Sequence, residues 1–168
     1  MRLIYITGAP RCGKTTLANQ MAKEQNVSVF SLDAFSKAVR SAFDDFKLYT
    51  DEISIRPTVN GDTFLDLTAN YIHHFFADYH NQTQIVEGCH FTPTAFHARF
   101  PDAEIIALGR TGEIKEIIEA IKEKDWMQTL PEKTINRYAE LIRNDSMELK
   151  HNAGFYRYIE IKKKKKTA

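Results

Sequence analysis

The sequence is poor in the residues that mark several protein classes. Its 168 residues include two cysteines, Cys12 and Cys89, whose separation fits neither a disulfide framework nor a zinc-binding spacing. Seven glycines and five prolines are too few for a collagen-like or low-complexity chain. No apolar run approaches the roughly 20 residues that a membrane-spanning helix needs. We therefore expect a folded protein without a membrane span, in a reducing, cytoplasmic location.

Net charge is also nearly absent, at a formal value of +1. The five consecutive lysines at 162–166 exceed that value, so the residues before them are mildly acidic. A mildly acidic body argues against a general nucleic-acid-coating surface. We interpret 162–168 as a basic, disordered tail, and contact with a polyanion is the less favoured alternative. Residues 1–161 are long enough for one domain with a full core.

The most informative segment lies near the N-terminus. Leu3 to Ile6 is a short apolar run, which predicts a buried strand and not a signal peptide. The next residues fit the pattern G-x-x-x-x-G-K-[ST], and helix-spaced apolar residues follow them. A strand, a glycine loop and a helix in this order are the context that confirms a phosphate-binding loop. The predicted nucleotide-binding residues are Gly8, Ala9, Pro10, Arg11, Cys12, Gly13, Lys14, Thr15 and Thr16.

The chemistry of this loop follows from its residue types. Gly8 and Gly13 allow backbone angles that let N–H groups wrap a phosphate. The following helix directs its positive dipole end at the same anion. Lys14 adds a mobile positive charge for the β- and γ-phosphates, and the Thr15 hydroxyl is a candidate Mg²⁺ ligand. The loop thus predicts ATP and Mg²⁺ as cofactors.

Strand and helix patterns alternate along the rest of the chain. Alternation of this kind predicts an α/β fold, with a parallel sheet covered on both faces and ligands at the carboxyl ends of the strands. The helix over 34–46 is expected to bury Phe43 with the rest of its apolar face. The predicted strands are 3–6, 27–31, 83–88, 103–109 and 155–161, and the main predicted helices are 16–23, 34–46, 62–80, 113–124 and 132–150.

Two acidic residues follow predicted strands. Asp33 comes just after the second strand, where it is a candidate to deprotonate an acceptor hydroxyl or to hold Mg²⁺ through water; the alternative is a helix cap. Glu87 ends the third strand, at the place where phosphate-loop proteins carry a metal-associated acid. It is a candidate for contact with the metal, a metal-bound water or the acceptor, and the alternative is a strand end that faces solvent.

Several basic residues are candidates for the rest of the site. Arg137 and Arg143, in a helical segment near the C-terminus, are candidates to offset charge on the transferring phosphoryl group, or else are ordinary solvated charges. Arg40 and Arg56 are candidates to clamp a phosphate or carboxylate of the acceptor, with solvated charges again as the alternative. His90 either binds a phosphate or, as we prefer, is a turn histidine with satisfied hydrogen bonds.

These features resemble the small-kinase branch of phosphate-loop (P-loop) proteins, which includes nucleoside monophosphate, shikimate, gluconate and polynucleotide kinases. The resemblance is carried by the loop Gly8–Thr16, Asp33 and the strand that ends at Glu87-Gly88. The stretch from Val86 to Pro93, including Glu87–Pro93, is also similar to 2-phosphoglycerate-kinase-like proteins. The resemblance implies a three-layer fold with a five-stranded parallel sheet in the order 2-3-1-4-5. It also implies a helical lid, at about 122–145, that closes over ATP.

The sequence therefore predicts a phosphotransferase that moves the γ-phosphoryl group of ATP to a hydroxyl or phosphate of a small molecule or nucleotide. One alternative is a polynucleotide 5′-kinase, suggested by Asp33 and the basic tail. Another is a nucleotide-binding or ATPase module without transfer, suggested by the sparse arginines of the lid.

Overall fold

The computed structural model describes residues 1–51, 53–123 and 128–162. In this part of the chain, strands and helices alternate as predicted, with ends shifted by a few residues. The strands are β1 (Arg2–Gly8), β2 (Val29–Ser31), β3 (Thr83–Glu87), β4 (Glu104–Gly109) and β5 (Arg157–Glu160). The helices are α1 (Lys14–Gln25), α2 (Leu32–Ala42), α3 (Gly61–Asp78), α4 (Pro93–Arg99), α5 (Ile114–Lys122) and α6 (Glu132–His151).

The five strands form one parallel sheet in the order β2-β3-β1-β4-β5, which confirms the predicted order. Strand β1 is central, and its Ile6 is in register with Glu87 of β3 and Ile106 of β4. On the far side of β3, Ser31 of β2 is in register with Glu87. The carboxyl ends of β2, β3 and β1 therefore lie together at one edge of the sheet, where parallel α/β folds bind their ligands.

The sheet is covered on both faces, because side chains alternate along each strand. Ile4 and Ile6 of β1 point to one face, and Leu3 and Tyr5 point to the other. The first face packs against α1, α5 and α6 through Ala18, Ala22, Ile117, Ile121, Ile135, Ala139 and Ile142. The second packs against α2, α3 and α4 through Leu32, Val39, Phe64, Leu65, Ala69, Ile72, Phe76 and Phe96. Three layers result, as the sequence predicts.

One predicted core residue is misplaced. Helix α2 ends at Ala42, and the next residue, Phe43, has extended backbone angles (φ −132°, ψ 97°). Its side chain is 62% exposed. The prediction that Phe43 lies on a buried helical face was wrong because α2 stops at Ala42, four residues before the end of the predicted helix.

The segment at 43–60, between α2 and α3, has no regular helix or strand among its described residues. It is nevertheless anchored at both faces of the core. Leu48, 1% exposed, packs with the α3 cluster, and Ile55, 9% exposed, packs with the α6 cluster. The segment is thus held over the carboxyl edge of the sheet.

Residues 132–145 of the predicted lid form the first part of α6. Ile135, Ala139 and Ile142 bury this part of the helix against the sheet and α5. Closure of the segment at 122–145 over ATP stays a prediction. Lys163 to Ala168, most of the predicted tail, lie outside the described residues. No helix in the described ranges is both long enough and apolar enough to cross a membrane.

The core position of Phe96 gives a first test of this fold. Its ring is fully buried and stacks on Tyr5 with 4.0 Å between the ring centroids. We expect Phe96→Ala to lower the free energy of unfolding by about 3–5 kcal/mol, because it removes a large buried ring and leaves a cavity. The exposed Phe43→Ala is the matched control, with an expected change within about 0.5 kcal/mol. Urea denaturation measures both, and equal losses would contradict the assigned burial.

Candidate active site

The phosphate loop begins where β1 meets β4. Gly8 has φ 126°, and a Cβ atom there would lie 1.9 Å from the carbonyl oxygen of Leu108. The next amide, that of Ala9, donates a hydrogen bond to the same oxygen at 3.2 Å. Only glycine fits this close approach in this conformation. The start of the loop is therefore fixed to the neighbouring strand.

The loop ends at the N-terminus of α1. Gly13 has a left-handed conformation (φ 80°) and caps the helix, which begins at Lys14. The Lys14 ammonium donates to the carbonyl oxygen of Ala9 across the loop, at 3.0 Å. Arg11 points elsewhere, since its guanidinium donates to the Ala120 carbonyl oxygen at 2.9 Å and to Glu123 at 3.1 Å. The loop amides, the helix dipole and Lys14 supply the positive potential that an anion needs here.

Glu87 lies next to the start of α1. Its carboxylate is only 3% exposed. One oxygen accepts a hydrogen bond from the Thr15 hydroxyl at 3.3 Å, and the other accepts one from the Ser31 hydroxyl at 3.0 Å. The sequence alternative, a strand end that faces solvent, is therefore wrong.

Asp33 lies in the first turn of α2. Ser31 is the cap of this helix, since its hydroxyl accepts a hydrogen bond from the Ala34 amide at 3.4 Å. The alternative role of Asp33 as the helix cap is thus wrong. The Asp33 side chain is 64% exposed, and one of its oxygens lies 3.8 Å from Nδ1 of His90. Its carboxylate is free to meet a ligand.

These residues border one cavity of about 570 Å³. It brings together the predicted site residues Lys14, Thr15, Asp33 and Glu87. Of the other lining residues outside the phosphate loop, Tyr49, Ser54 and Ile55 come from the irregular segment at 43–60, Cys89 follows β3, and Tyr138 lies in α6. The lining is Pro10, Arg11, Gly13, Lys14, Thr15, Thr16, Asp33, Tyr49, Ser54, Ile55, Glu87, Cys89 and Tyr138.

His90 and Cys89 occupy the turn after β3. The Nδ1 atom of His90 is buried and has no hydrogen-bond partner, and the residue is only 5% exposed. Burial lowers the pKa of His90 to about 4, with Lys14 acting in the same direction and Asp33 opposing it. The prediction of a turn histidine with satisfied hydrogen bonds is wrong at this atom. Burial also raises the pKa of the Cys89 thiol, an effect that Lys14 opposes.

With this geometry in place, comparison with known proteins is informative. The sequence profile of the ATPase family associated with various cellular activities (AAA) matches residues 4–129, well over half of the chain. The chain belongs to the AAA family. The match includes the phosphate loop, Asp33 and Glu87. Comparison with curated proteins gives no match.

Solved structures similar to this AAA protein include small-molecule kinases. Gluconokinase from Sinorhizobium meliloti 1021 has a TM-score of 0.59 at 9% identity, covering 97% of this chain and 84% of that one. Shikimate kinase from Bacteroides thetaiotaomicron has a TM-score of 0.54 at 19% identity, covering 94% and 85%. Shikimate kinase from Acinetobacter baumannii, in complex with shikimate, has a TM-score of 0.56 at 12% identity, covering 98% and 86%. At these identities the likeness shows the P-loop kinase fold.

The four arginines of this AAA protein that were predicted to contact the acceptor or the transferring group do not line the main cavity. Arg40 lies with Lys37 and Asp44 at a separate surface cavity of about 390 Å³. Arg137 is exposed and borders another cavity, of about 280 Å³, with Asp51 and Lys133.

The other two arginines are partly buried. The Arg56 guanidinium is ion-paired with Asp145 of α6, and this pairing raises its pKa despite burial. The Nε atom of Arg143 is buried and has no hydrogen-bond partner. At the start of the predicted lid, Lys122 ends α5, and residues 124–127 lie outside the described residues.

The Arg56–Asp145 pair is open to a double-mutant test. Side-chain exposure is 22% for Arg56 and 7% for Asp145. We expect Arg56→Ala and Asp145→Ala each to lower the free energy of unfolding by about 3 kcal/mol, because each leaves a buried charge unpaired. The double variant should cost much less than the sum.

The control is the exposed pair of Arg99 and Asp66, with side chains 50% and 53% exposed. Its coupling energy should be below about 1 kcal/mol. Thermal or urea denaturation of the two cycles gives both values. Equal coupling in the buried and exposed pairs would show that Arg56 is not a structural anchor.

Proposed function

We propose that this protein is an ATP- and Mg²⁺-dependent phosphotransferase that moves the γ-phosphoryl group to a hydroxyl or phosphate of a small molecule or nucleotide. The observation that supports this most directly is the shared cavity of Lys14, Thr15, Asp33 and Glu87. It places an anion-binding loop beside two carboxylates, and phosphoryl transfer needs both. We further propose that the protein acts in the cytoplasm, where the free thiols of Cys12 and Cys89 stay reduced.

On the nucleotide side, the backbone amides of Gly8–Thr16 would hold the β- and γ-phosphates. Lys14 would move from the Ala9 carbonyl to the phosphate oxygens, since an ammonium bound to a neutral carbonyl gains from an anionic partner. Its charge would then offset the negative charge that the transferring group spreads over its oxygens.

The residues present also fit a magnesium ion. Glu87 is a buried carboxylate, and among the described residues no lysine, arginine or histidine lies within 4.0 Å of it. A buried negative charge with only hydroxyl donors is stabilised by a cation, and Mg²⁺ prefers oxygen ligands. Thr15, Glu87 and Asp33 would hold the ion, directly or through water. When bound, Mg²⁺ would neutralise charge on the β- and γ-phosphates.

On the acceptor side, Asp33 would orient an acceptor hydroxyl and accept its proton, because its carboxylate is exposed at the cavity. Tyr49 and Tyr138 would form the walls around the acceptor or the base of ATP. We propose that His90 orients the acceptor from behind Asp33. Arg40 borders a separate cavity, so it would contact only a long acceptor. Arg56 would contact the acceptor only after breaking its ion pair with Asp145.

Two arginines of α6 are proposed to act on the transferring group. Arg137 is exposed and adjacent to Tyr138, so a modest movement of this end of α6 would bring it to the main cavity. Arg143 has an unpaired buried Nε, which a phosphate oxygen would satisfy. Either residue would act by charge and not as a base.

A second candidate function is ATP hydrolysis without transfer. It is favoured by the family to which residues 4–129 belong, which is described as an ATPase family. In that case water would take the place of the acceptor hydroxyl at Asp33. A third candidate, polynucleotide 5′-kinase activity, differs only in the acceptor, so one experiment separates all three.

That experiment is a transfer screen with γ-labelled ATP against nucleotides, sugars, small acids and DNA ends, read by mass shift. We expect one acceptor class to gain phosphate. Lys14→Ala should lower the rate at least about 100-fold, because it removes a cation from the developing charge. Lys115→Ala, an exposed lysine on α5, is the matched control and should keep full activity.

Three outcomes of the screen would be decisive. Full turnover by a folded Lys14→Ala sample contradicts the proposed site. Release of free phosphate, with no labelled acceptor in any class, supports the hydrolase. Labelling confined to DNA ends, and lost when 162–168 are deleted, supports the polynucleotide kinase.

Asp33→Asn tests the second half of the site. For a hydroxyl acceptor we expect transfer to fall about 10²- to 10⁴-fold, because the amide cannot accept the proton. The heat of ATP binding in the presence of Mg²⁺, measured by calorimetry, should change little, because Asn keeps an oxygen ligand for the ion and Thr15 and Glu87 are unchanged. Asp45→Asn, an exposed aspartate beyond α2, is the control. An unchanged transfer rate in Asp33→Asn would remove Asp33 from the mechanism.

A further inference from the structure

The turn after β3 and the start of α2 bring three different metal-binding side chains together. A carboxylate oxygen of Asp33, the sulfur of Cys89 and a ring nitrogen of His90 all lie within 4.8 Å of one another. Among the described residues, no other group of three histidine, cysteine or acidic side chains is arranged in this way. No spacing rule predicts this cluster from the sequence, because Asp33 is more than fifty residues away from Cys89 and His90 along the chain.

The histidine of this cluster lacks a partner within the protein. Its Nδ1 is buried and makes no hydrogen bond, and the nearest Asp33 oxygen, at 3.8 Å, is too distant for one. A buried polar atom without a partner costs free energy unless something outside the chain satisfies it. Nδ1 faces the Asp33 carboxylate, so a ligand that satisfies Nδ1 would also meet Asp33.

We propose that Asp33, Cys89 and His90 form a binding site for one Zn²⁺ ion. Zinc binds sulfur at about 2.3 Å and nitrogen or oxygen at about 2.0–2.2 Å, so tetrahedral ligand atoms lie roughly 3.4–3.6 Å apart. The observed ligand atoms are up to 4.8 Å apart, so zinc binding requires side-chain rotations that bring these atoms about 1 Å closer together. Three protein ligands leave the fourth position open to water or to a ligand in the cavity.

The zinc site shares Asp33 with the proposed magnesium site, and the other donors distinguish the two. A thiolate and an imidazole suit Zn²⁺, whereas Mg²⁺ prefers the oxygen atoms of Thr15 and Glu87. Binding would replace the S–H bond of Cys89 by an S–Zn bond and release the proton to solvent, with no change of oxidation state. Excess Mg²⁺ is therefore not expected to displace the ion.

The turn that carries Cys89 and His90 is hydrogen-bonded to Tyr5 of β1. The single proton of the Tyr5 hydroxyl is shared between the carbonyl oxygens of Gly88, at 3.1 Å, and of Phe91, at 3.0 Å, on either side of Cys89 and His90. The Phe91 amide donates back to the same hydroxyl at 3.3 Å. A turn fixed at both ends presents its two ligands with little loss of conformational freedom on binding.

Zinc at this position would also regulate the reaction, an extension that rests on the proposed function. Asp33 is shared between the zinc site and the acceptor side of the cavity. An ion that holds its carboxylate withdraws the group that accepts the acceptor's proton. Zinc is therefore an inhibitor of transfer, and chelation of the ion restores activity.

Binding is tested without ATP, by calorimetric titration of the chelator-treated full chain with zinc chloride in excess MgCl₂. We expect one zinc ion per chain. Cys89→Ser and His90→Gln should each weaken binding at least about 100-fold, since even supporting residues around metal ligands contribute about 10- to 100-fold. The matched controls are Cys12→Ser and His74→Gln, which remove one cysteine and one histidine that lie outside the cluster. Both should bind zinc as the unmodified chain does.

Two further measurements do not depend on whether a variant folds. Co²⁺ bound to the unmodified chain should show a thiolate-to-cobalt charge-transfer band and the visible absorption of tetrahedral cobalt. Zinc should also slow alkylation of Cys89, located by peptide mass spectrometry, at least about 10-fold, as expected for a coordinated thiolate.

The proposal is overturned if no zinc binds, if folded Cys89→Ser binds it unchanged, or if bound cobalt shows no thiolate band. These results are separate from the phosphotransferase proposal. Zinc binding without phosphoryl transfer to any acceptor would retain the site and reject the activity. Transfer that ignores saturating zinc would retain both the site and the activity, and reject only the regulation.

Discussion

The carboxylate of Glu87 is the point at which the phosphate loop, the sheet and α2 are joined. It is buried at the end of β3 and bonded to hydroxyls from the first turn of α1 and from the last residue of β2. A buried charge in this position has to be neutralised or fully hydrogen-bonded, which restricts how the surrounding elements can be arranged. Thr15 is therefore fixed relative to Ser31, and with it the whole start of α1. The hydrogen bonds of Glu87 thus link the phosphate loop to the carboxyl edge of the sheet.

The cavity is lined on one side by elements of the common fold and on the other by an irregular segment that the fold does not specify. One side is made by the loop and the strand ends, which belong to the common P-loop kinase fold. The other side includes Tyr49, Ser54 and Ile55 from the irregular segment at 43–60. This segment is held in place by Leu48, Ile55 and the ion pair of Arg56 with Asp145. Under the proposed function, nucleotide binding rests on the shared fold, and the choice of acceptor depends on a stretch that the fold itself does not specify.

Sequence patterns predicted the fold because they depend on local spacing. The alternation of apolar strands and amphipathic helices is regular, and the Gly8–Thr15 motif has a fixed geometry, so the parallel sheet and the position of Lys14 followed. The strand order came from the resemblance to P-loop kinases. The contacts of Arg56 and His90 depend on chain segments far away in sequence. No spacing rule connects Arg56 to Asp145, or Asp33 to Cys89, and a basic residue in an irregular segment has the same appearance whether it binds a substrate or an internal carboxylate. Phe43 shows the local limit, since an apolar pattern continued past the residue at which the backbone left the helix.

Tyr5 connects the core of the sheet to the turn beside the site. Its ring is packed in the core against Phe96, while its hydroxyl holds the carbonyls of Gly88 and Phe91. A shift of this ring would move its hydroxyl, and with it the carbonyl groups of the turn that borders Asp33. If the proposed transfer is the activity of this chain, selection for a new acceptor would act on core residues around Tyr5 as well as on those that line the cavity.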